Sequence, residues 1–532
     1  MEQFDYVIVG GGSSGCVMAS RLSEDPGVRV LLIESGRRDD SPWIKIPATF
    51  FKVVGKGRDV VAYTGAKSEG VNNRDSVVLQ GHVIGGGSSV NAMIYIRGQA
   101  EDYDTWEQEG NPGWGYRDVL PVYRDLENNM ELADEFHGTE GELHVSETGY
   151  HHPLCRAFIR AAQQTGIPHN PDFNGARQTG VGFYQTTTHA GRRWSAAEAF
   201  LRKAESRKNL RILTQARVAR ILFEDKRAVG VQLEDGRRFG AVGELVMCAG
   251  AIETPRLLQL SGVGNAASLQ ALGIPVVADL PGVGENYQDH LEANIQCTTH
   301  DPLSYYRQDI GLTAAWHMAQ YLAFKTGVLT SNVVECGGFI DVSGTGRPDI
   351  QFHVLPFMVG WVDRPPIEAH GLSVNPCFLR PHSRGSVRLR SADPKAPAAF
   401  DAGSFSDAED LEVMLRGVKK TIEIFRAPAL ARLVKDFAIP TRKAIDDDDA
   451  LRDLIRQTAK TVFHPVGTAK MGADTDHMAV VDNELRVKGV RGLRIADASI
   501  MPRLVSGNTN APVMMIAERA ARFITGKESL RP

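Results

Sequence analysis

The sequence predicts an α/β fold, and three observations predict it. The chain has 532 residues of ordinary globular composition, 42% hydrophobic and 23% charged, which excludes disorder, collagen-like repeats and a long coiled coil. Its first forty residues read as strand, glycine turn, helix and strand. Its middle contains several short alternating strands, so we expect a parallel sheet covered by helices and a second, separate sheet with helices behind it.

Charge and cysteine usage exclude several classes of function. With 60 Lys and Arg against 64 Asp and Glu, the formal net charge is only -4, so we expect no nucleic-acid partner. The six cysteines include no C-x-x-C pair and no cluster at zinc spacing, so neither disulfides nor a metal site is expected. The sequence shows no signal peptide and no transmembrane segment. We therefore expect a cytoplasmic protein, with peripheral membrane contact left open.

The strongest local pattern lies near the N-terminus. A β-branched run at 6–9 ends at glycines, helical spacing follows at 14–22, and a second apolar run at 28–33 ends at Glu34. This order is typical of a βαβ unit with parallel strands. Between strand and helix, Gly10-Gly-Gly-Ser-Ser-Gly15 matches G-x-G-x-x-G, with the acidic residue at the spacing of a Rossmann-like dinucleotide site.

Each part of this motif has a chemical reason. Glycines let the backbone turn tightly and approach a pyrophosphate, and the free N–H groups of the following helix attract its negative charge. Glu34 can accept hydrogen bonds from a ribose diol, and it disfavours a 2′-phosphate. The residues expected to hold the ADP half of a dinucleotide are therefore Gly10, Gly12, Ser13, Ser14, Gly15 and Glu34.

The middle of the chain shows weaker patterns. The glycine-rich stretch 81–91 has neither helical nor strand period, which predicts a loop with close backbone contacts. A β-meander is predicted from the segments 210–213, 217–222, 229–233 and 244–248. Helical spacing at about 303–330 and strands at about 348–400 predict a separate sheet with helices behind it.

Two segments near the C-terminus carry polar side chains at element boundaries. His464 precedes Pro465, which favours an extended backbone and holds the imidazole on a loop. Asn510 precedes Ala511-Pro512 and an apolar series with helical spacing, so it is expected as the N-cap of a helix. That helix would present free N–H groups and a positive dipole end to a ring facing it. By itself, a lone histidine is more often a packed or surface residue than a base.

Five ordered blocks resemble the glucose-methanol-choline (GMC) family of FAD oxidoreductases, and the likeness covers nearly the whole chain. The blocks are the loop at 10–15, the stretches 81–98, 250–264 and 281–290, and the C-terminal segments 463–465 with 508–510. Two positions depart from the family pattern. His82 stands where members usually carry Arg or Lys, so a cationic role there is in doubt. Val90 stands where some members bond FAD through a histidine, so non-covalent FAD is expected.

The resemblance implies a Rossmann-like FAD-binding domain interleaved with a substrate domain, which is built on an antiparallel sheet backed by helices. The FAD-binding domain is expected at 1–150, 200–295 and 465–532, and the substrate-binding domain at 151–199 and 296–464. Further cofactor contacts are implied for Val83, Gly86, Gly87, Asn91, Ala92, Met93, Val218, Asp497, Ala498, Asn508 and Thr509. Val83 and Val218 are equally consistent with plain strand core.

The resemblance also implies a reaction. His464 is expected to accept the hydroxyl proton of an alcohol and Asn510 to orient its oxygen, while the α-hydrogen leaves as hydride to flavin N5. Phe463 and Glu335 are expected near the substrate. Glu335 would pair with an ammonium group, or equally belong to a structural hydrogen-bond network.

Within the family, the chain is most similar to bacterial dehydrogenases of L-sorbose, polyethylene glycol and choline. This resemblance favours L-sorbose, or a similar primary alcohol or polyol, as the substrate. Choline, polyethylene glycol or aryl alcohols, and an oxygen-using alcohol oxidase, are the alternatives. The electron acceptor would be a quinone, a dye or O2. A pyridine-nucleotide or disulfide oxidoreductase would share the first loop, but the redox cysteine pair is missing. A non-catalytic flavin-binding protein would be expected to lack the His464 and Asn510 pair.

Overall fold

Residues 1–360 and 365–528 are described by a computed structural model of the protein. Two large sheets, one of seven strands and one of eight, organise this part of the chain. The first sheet contains the predicted βαβ unit, in which helix Ser13–Leu22 joins two parallel strands. In chain order, its strands are Glu2–Val9, Val30–Ile33, Leu210–Leu213, Val218–Glu224, Arg227–Leu233, Arg238–Met247 and Leu493–Ile495.

The predicted β-meander is confirmed for its last three strands and wrong for the first. Val218–Glu224, Arg227–Leu233 and Arg238–Met247 pair antiparallel in succession. Leu210–Leu213 instead pairs in parallel with Val30–Ile33, at the edge of the sheet. Parallel pairing requires a long crossover connection, so the partner of this strand is distant in sequence.

The second sheet is antiparallel, as expected, and it shares a hydrophobic core with helices Pro153–Gln164 and Ala408–Arg426. Its fully buried strands, such as Ile350–Leu355, have both faces covered. In chain order, its strands are Gly180–Phe183, Leu291–Glu292, Ile295–Thr299, Cys336–Ile340, Ile350–Leu355, Gly371–Phe378, Val434–Ile439 and Lys460–Thr461.

Smaller elements surround the two sheets. The short sheets are made of Val60–Ser68 with Arg74–Gly81, Glu127–Asn129 with Leu143–Glu147 and Gln185–Thr186, Thr188–His189 with Arg192–Arg193, Val263–Gly264 with Ala278–Asp279, and Ser386–Arg388 with Ala399–Asp401. The remaining longer helices are Ala100–Gln108, Tyr116–Leu126, Gly250–Leu260, Gly311–Phe324, Asp448–Thr458 and Asn510–Thr525. The shorter helices are Pro42–Lys45, Phe50–Gly55, Gly87–Val90, Arg202–Ala204, Ala266–Ala271 and Pro428–Ala431. Within the two described ranges, no helix combines the length and the apolar character needed to cross a membrane.

The two glycine-rich stretches pack against each other beside the first sheet. Gly86 has a φ of 52° and lies so close to Gly12 that a Cβ atom at Gly86 would be 2.7 Å from the Gly12 Cα. The close backbone contacts expected for 81–91 are therefore present, although Gly87–Val90 forms a short helix within the predicted loop. Gly15 is tighter still, because a Cβ atom there would lie 1.9 Å from the Gly10 carbonyl oxygen.

Replacing Gly15 with alanine should destabilise the first βαβ unit, because the added methyl group has no space beside the Gly10 backbone. We expect the free energy of unfolding to fall by about 1–3 kcal/mol or more, as for other overpacked sites, measured by urea denaturation. Gly55→Ala is the matched control, since no atom lies within 4 Å of the position of its added Cβ. A Gly15→Ala protein as stable as the control would contradict this packing.

Candidate functional site

A cavity of about 480 Å³ is walled by residues from both sheets and from the glycine-rich stretches. Most residues that the sequence singles out line it, although they come from widely separated segments. These are Gly10, Gly12, Ser13, Ser14, Glu34, Gly86, Gly87, Asn91, Ala92, Met93, Val218, Phe463, His464, Asp497, Ala498, Asn508, Thr509 and Asn510. Three others, Gly15, Val83 and Glu335, do not line it. Gly15 lies in the helix behind the loop, and Val83 is buried in a small core with Val60 and Val90.

Glu34 fixes the shape of the first glycine loop. Its Oε2 accepts a hydrogen bond from the Gly11 N–H at 2.7 Å, and its Oε1 accepts one from the Gly36 N–H at 2.6 Å. Burial raises the pKa of this carboxyl, although both N–H groups oppose the shift. The side chain therefore holds the loop and also forms part of the cavity wall.

His464 lies on a loop after strand Lys460–Thr461, as the sequence predicts. Its backbone N–H donates to Asp289 Oδ1 at 2.9 Å. The hydroxyl groups of Tyr287 and Thr461 donate to the other oxygen of Asp289. Burial raises the pKa of Asp289 to about 6. A buried carboxyl thus fixes the backbone from which the imidazole projects.

His290 fixes the tautomer of His464. His290 Nε2 lies 3.0 Å from the Leu379 carbonyl oxygen, which can only accept, so this nitrogen carries the proton. Burial lowers the pKa of His290 to about 3, so its ring is neutral and its Nδ1 is an acceptor. His464 Nδ1, at 3.0 Å, must then donate to it. In consequence, His464 Nε2 is the unprotonated, acceptor nitrogen of the ring.

The surroundings of His464 favour its neutral form. Burial lowers the pKa of His464 well below the ordinary value, and the neighbouring His290 and His353 lower it further. Gln351 Nε2 donates to Asn508 Oδ1 at 3.1 Å, which directs the Asn508 amide nitrogen toward His464 Nε2 at 3.3 Å. A donor facing Nε2 agrees with the tautomer that His290 imposes.

Asn510 occupies a different position from the one expected of an N-cap. The helix begins at Asn510, with Thr509 as its N-cap, so the predicted cap is wrong by one residue. The Asn510 side chain donates to Ser13 Oγ at 2.8 Å and therefore joins the C-terminal helix to the first glycine loop. Asn508, rather than Asn510, makes the contact with His464.

Glu335 is buried in a hydrogen-bond network and does not line this cavity. The His152 N–H donates to its Oε2 at 2.5 Å, and the Ser331 hydroxyl donates to its Oε1 at 2.6 Å. The Tyr305 hydroxyl donates to Oε1 as well. Each carboxylate oxygen of Glu335 already has a donor. The residue therefore belongs to a structural hydrogen-bond network, the second of the two roles considered for it from the sequence.

Four wall residues carry polar groups that sequence reasoning missed, namely Glu292, His353, Asn375 and Lys460. Glu292 accepts from Asn375 Nδ2 at 2.8 Å, and it lies 2.9 Å from His353 Nδ1 and 3.3 Å from Lys460 Nζ. Burial favours the protonated carboxyl, but Lys460 and His353 outweigh it and hold the pKa of Glu292 below its ordinary value. These residues lie on strands, where no local signal distinguishes them. His290, also missed, lies at the end of the 281–290 block.

A second cavity, of about 1630 Å³, adjoins the first and has mostly apolar walls. The two cavities share wall residues, among them Phe51, Val54, Val359 and Phe463. Phe463 is 38% exposed and follows Thr461, whose hydroxyl accepts from the Phe463 N–H at 2.8 Å. An apolar route therefore leads to the side of the smaller cavity where His464 lies.

The smaller cavity has the donor set that FAD requires. Gly10, Gly12 and Gly86 present backbone without side chains in the cavity wall, and the start of helix Ser13–Leu22 there offers free N–H groups to a phosphate. Glu34 provides a carboxylate for a ribose. At the other end, the start of helix Asn510–Thr525 presents a positive dipole end to the cavity.

Comparisons with known proteins agree with this geometry. Two models of the GMC oxidoreductase family match residues 4–292 and 381–517. An alcohol dehydrogenase [acceptor] of Pseudomonas putida is 42% identical over 98% of this chain and 96% of its own length. An oxygen-dependent choline dehydrogenase of Sinorhizobium medicae is 41% identical over 99% of this chain and 96% of its own length. The crystal structure of pyridoxine 4-oxidase from Mesorbium loti superposes with a TM-score of 0.88 at 31% identity, covering 98% of each chain. The chain therefore belongs to the GMC oxidoreductase family and is an FAD-dependent oxidoreductase of CH–OH donors.

Proposed function

We propose that the protein oxidises a primary alcohol with an apolar tail, and that His464 Nε2 accepts the hydroxyl proton. The observation that carries this proposal is that His464 Nε2 is the unprotonated nitrogen of the ring, which follows from the contacts of His290 and Asn508. A neutral imidazole in the cavity wall suits proton transfer around neutral pH. When bound, FAD supplies the two-electron acceptor for the hydride of the alcohol carbon.

The remaining wall residues have corresponding roles. Gly10, Gly12, Ser13, Ser14 and Glu34 would hold the ADP half of FAD, with Gly15 as the packing residue behind them. Those at 86–93, 497–498 and 508–509 would line the rest of the cofactor, and Val218 would meet the adenine through its strand. Asn510 would donate to the substrate oxygen once its amide leaves Ser13, while Asn508 steadies the imidazole.

The walls favour an apolar tail. The larger cavity is bounded by aromatic and aliphatic side chains such as Phe51, Val333, Phe357 and Phe378, and burial of each CH2 of a bound chain contributes about 0.8 kcal/mol. The relative from Pseudomonas putida is named an alcohol dehydrogenase. L-sorbose, the polyol favoured by the sequence, stays a prediction, because hydroxyl groups buried against the apolar part of these walls would lose their hydrogen bonds to water.

Choline is the second candidate, because one relative is named a choline dehydrogenase. Glu292 is an acidic wall residue of the smaller cavity, and His464 lines the same cavity. Lys460 lies 3.3 Å from its Oε1 and His353 lies 2.9 Å from its Oε2. This pairing reduces the attraction that the carboxylate offers to a quaternary ammonium group, so we rank choline below an apolar alcohol.

His464→Ala should abolish turnover while the protein still binds FAD and stays yellow. Loss of a general base typically lowers the rate by about 10²- to 10⁴-fold, which anaerobic stopped-flow measurement of flavin bleaching by an alcohol would detect. Asn510→Ala serves as the graded comparison, because loss of one hydrogen bond to a developing charge corresponds to about 10- to 100-fold in rate. Unchanged bleaching in His464→Ala would refute the assignment of the base.

His290→Ala should impair catalysis through His464, because it removes the acceptor that fixes the imidazole. We expect kcat to fall by about 10²-fold, the cost of a misplaced group, with little change in KM. In the wild type, the lowered pKa of His464 keeps the base neutral, so kcat/KM should stay level as pH falls through the range in which an ordinary histidine takes up a proton. His290→Ala should move the acid limb of kcat/KM upward, and His290→Asn, which retains an acceptor and a donor, should restore part of the rate. A purely structural role for His290 would leave the pH profile unmoved.

A substrate panel tests the chemical class. With 1-propanol, 1-hexanol, 1-octanol, benzyl alcohol, choline and L-sorbose, we expect kcat/KM to rise with chain length, by up to about fourfold per CH2 if each is fully buried. The measurement is initial rate with a quinone or dye acceptor, repeated with O2. A preference for choline or L-sorbose over 1-octanol would overturn the apolar-tail proposal while leaving the role of His464 intact.

A further inference from the structure

Helix Gly311–Phe324 exposes an apolar face to solvent. Its fourteen residues, GLTAAWHMAQYLAF, include no charged side chain, and only Tyr321 is buried. Leu312 is 91% exposed, Trp316 is 68% exposed and Leu322 is 64% exposed. Phe324, the last residue of the helix, is 74% exposed. A surface helix normally turns polar residues outward, so the usual arrangement is reversed here.

The exposed residues form one continuous stripe. All of its members are exposed, and each has another member three or four positions away: Leu312, Ala315, Trp316, Ala319, Leu322 and Ala323. Residues at these spacings lie on the same side of a helix. The opposite side faces inward, where Ala314, His317 and Met318 line the larger cavity. The helix is therefore both a wall of that cavity and a surface of the protein.

Cationic side chains border the stripe. Exposed Lys325 follows the helix, and its Nζ lies 4.3 Å from the centre of the Tyr321 ring. The turn before Arg192 contacts the same end, since a Cβ atom at Gly191 would lie 2.7 Å from the Lys325 carbonyl oxygen. Near the other end, Asp309 is matched by Lys52, with 3.4 Å between Nζ and Oδ2. The border thus carries net positive charge.

The size of the stripe distinguishes between two possible occupants. A fourteen-residue helix is about 21 Å long and about 10 Å wide, an outline of roughly 200 Å². A stable interface between two copies buries about 800 Å² on each. Binding to a lipid surface does not require 800 Å² of buried area. An uncharged apolar helix face with a tryptophan and a cationic border binds at the boundary between headgroups and acyl chains.

We propose that helix Gly311–Phe324 docks the protein peripherally on an anionic lipid bilayer, with Leu312, Trp316 and Leu322 entering the interface and Arg192 and Lys325 facing the headgroups. Docking in this orientation places the larger cavity next to the bilayer surface, since the same helix forms its wall. This proposal concerns binding and is independent of the substrate.

The test is co-sedimentation of the FAD-loaded protein with vesicles of phosphatidylcholine and phosphatidylglycerol at 3:1. We expect the wild type to bind these vesicles, to bind pure phosphatidylcholine more weakly, and to lose affinity in 0.5 M NaCl. The variant Leu312→Gln/Trp316→Gln/Leu322→Gln should bind at least tenfold more weakly and should oxidise a short soluble alcohol at the wild-type rate. The matched control is Met130→Gln/Val242→Gln, which replaces apolar residues that are 51% and 60% exposed elsewhere, and it should bind as the wild type does.

Two results would overturn the proposal. One is a wild type that does not bind the anionic vesicles, or a triple variant that binds them equally well. The other is self-association without lipid, seen by sedimentation velocity at micromolar concentration and abolished in the triple variant, together with absence of vesicle binding. That second result would assign the stripe to another copy of this chain.

Discussion

The site depends on one chain of hydrogen bonds that begins and ends in the antiparallel sheet. The Leu379 carbonyl, just after strand Gly371–Phe378, accepts from His290, and His290 accepts from His464. Asn508 lies against the other nitrogen of His464, and Gln351 of strand Ile350–Leu355 holds the Asn508 amide. Because the Leu379 carbonyl oxygen can only accept, it determines which nitrogen of each imidazole carries the proton. The antiparallel sheet thereby sets the chemistry of a residue that lies on a loop outside it.

Buried carboxyl groups give the loops around this chain their rigidity. Glu34 holds the first glycine loop, and Asp289 holds the backbone of His464. Asp497 does the same for helix Gly250–Leu260, because its Oδ2 accepts from the Gly250 N–H at 2.9 Å and from the Thr254 hydroxyl. Burial raises the pKa of all three carboxyls, so each would be costly without its donors. Backbone N–H groups and hydroxyls, rather than cationic side chains, therefore stabilise these three carboxyl groups.

Local patterns predicted the parts of this arrangement that are local. The βαβ unit and its glycine loop were evident because strand, turn and helix periods occur within forty residues. The parallel partner of Leu210–Leu213 was missed because the pairing spans a long stretch of chain. His464 is predicted only through the family resemblance and His290 is not predicted, because their contact depends on the pairing of strands Leu291–Glu292 and Lys460–Thr461, which are far apart in sequence. The polar group around Glu292 escaped notice for the same reason, since its partners come from separate strands.

The backbone of Phe463, next to the base, is strained. Its φ of 67° is unusual for a residue with a bulky side chain, and such conformations cost about 1–3 kcal/mol. Two hydrogen bonds hold this segment, one from the Phe463 N–H to the Thr461 hydroxyl and one from the His464 N–H to Asp289. The twist that they impose places the Phe463 side chain in the walls of both cavities and the His464 imidazole in the smaller one. An extended backbone at residue 463 would turn the following side chain to the opposite side. The position of the His464 imidazole therefore depends on the strained backbone of Phe463.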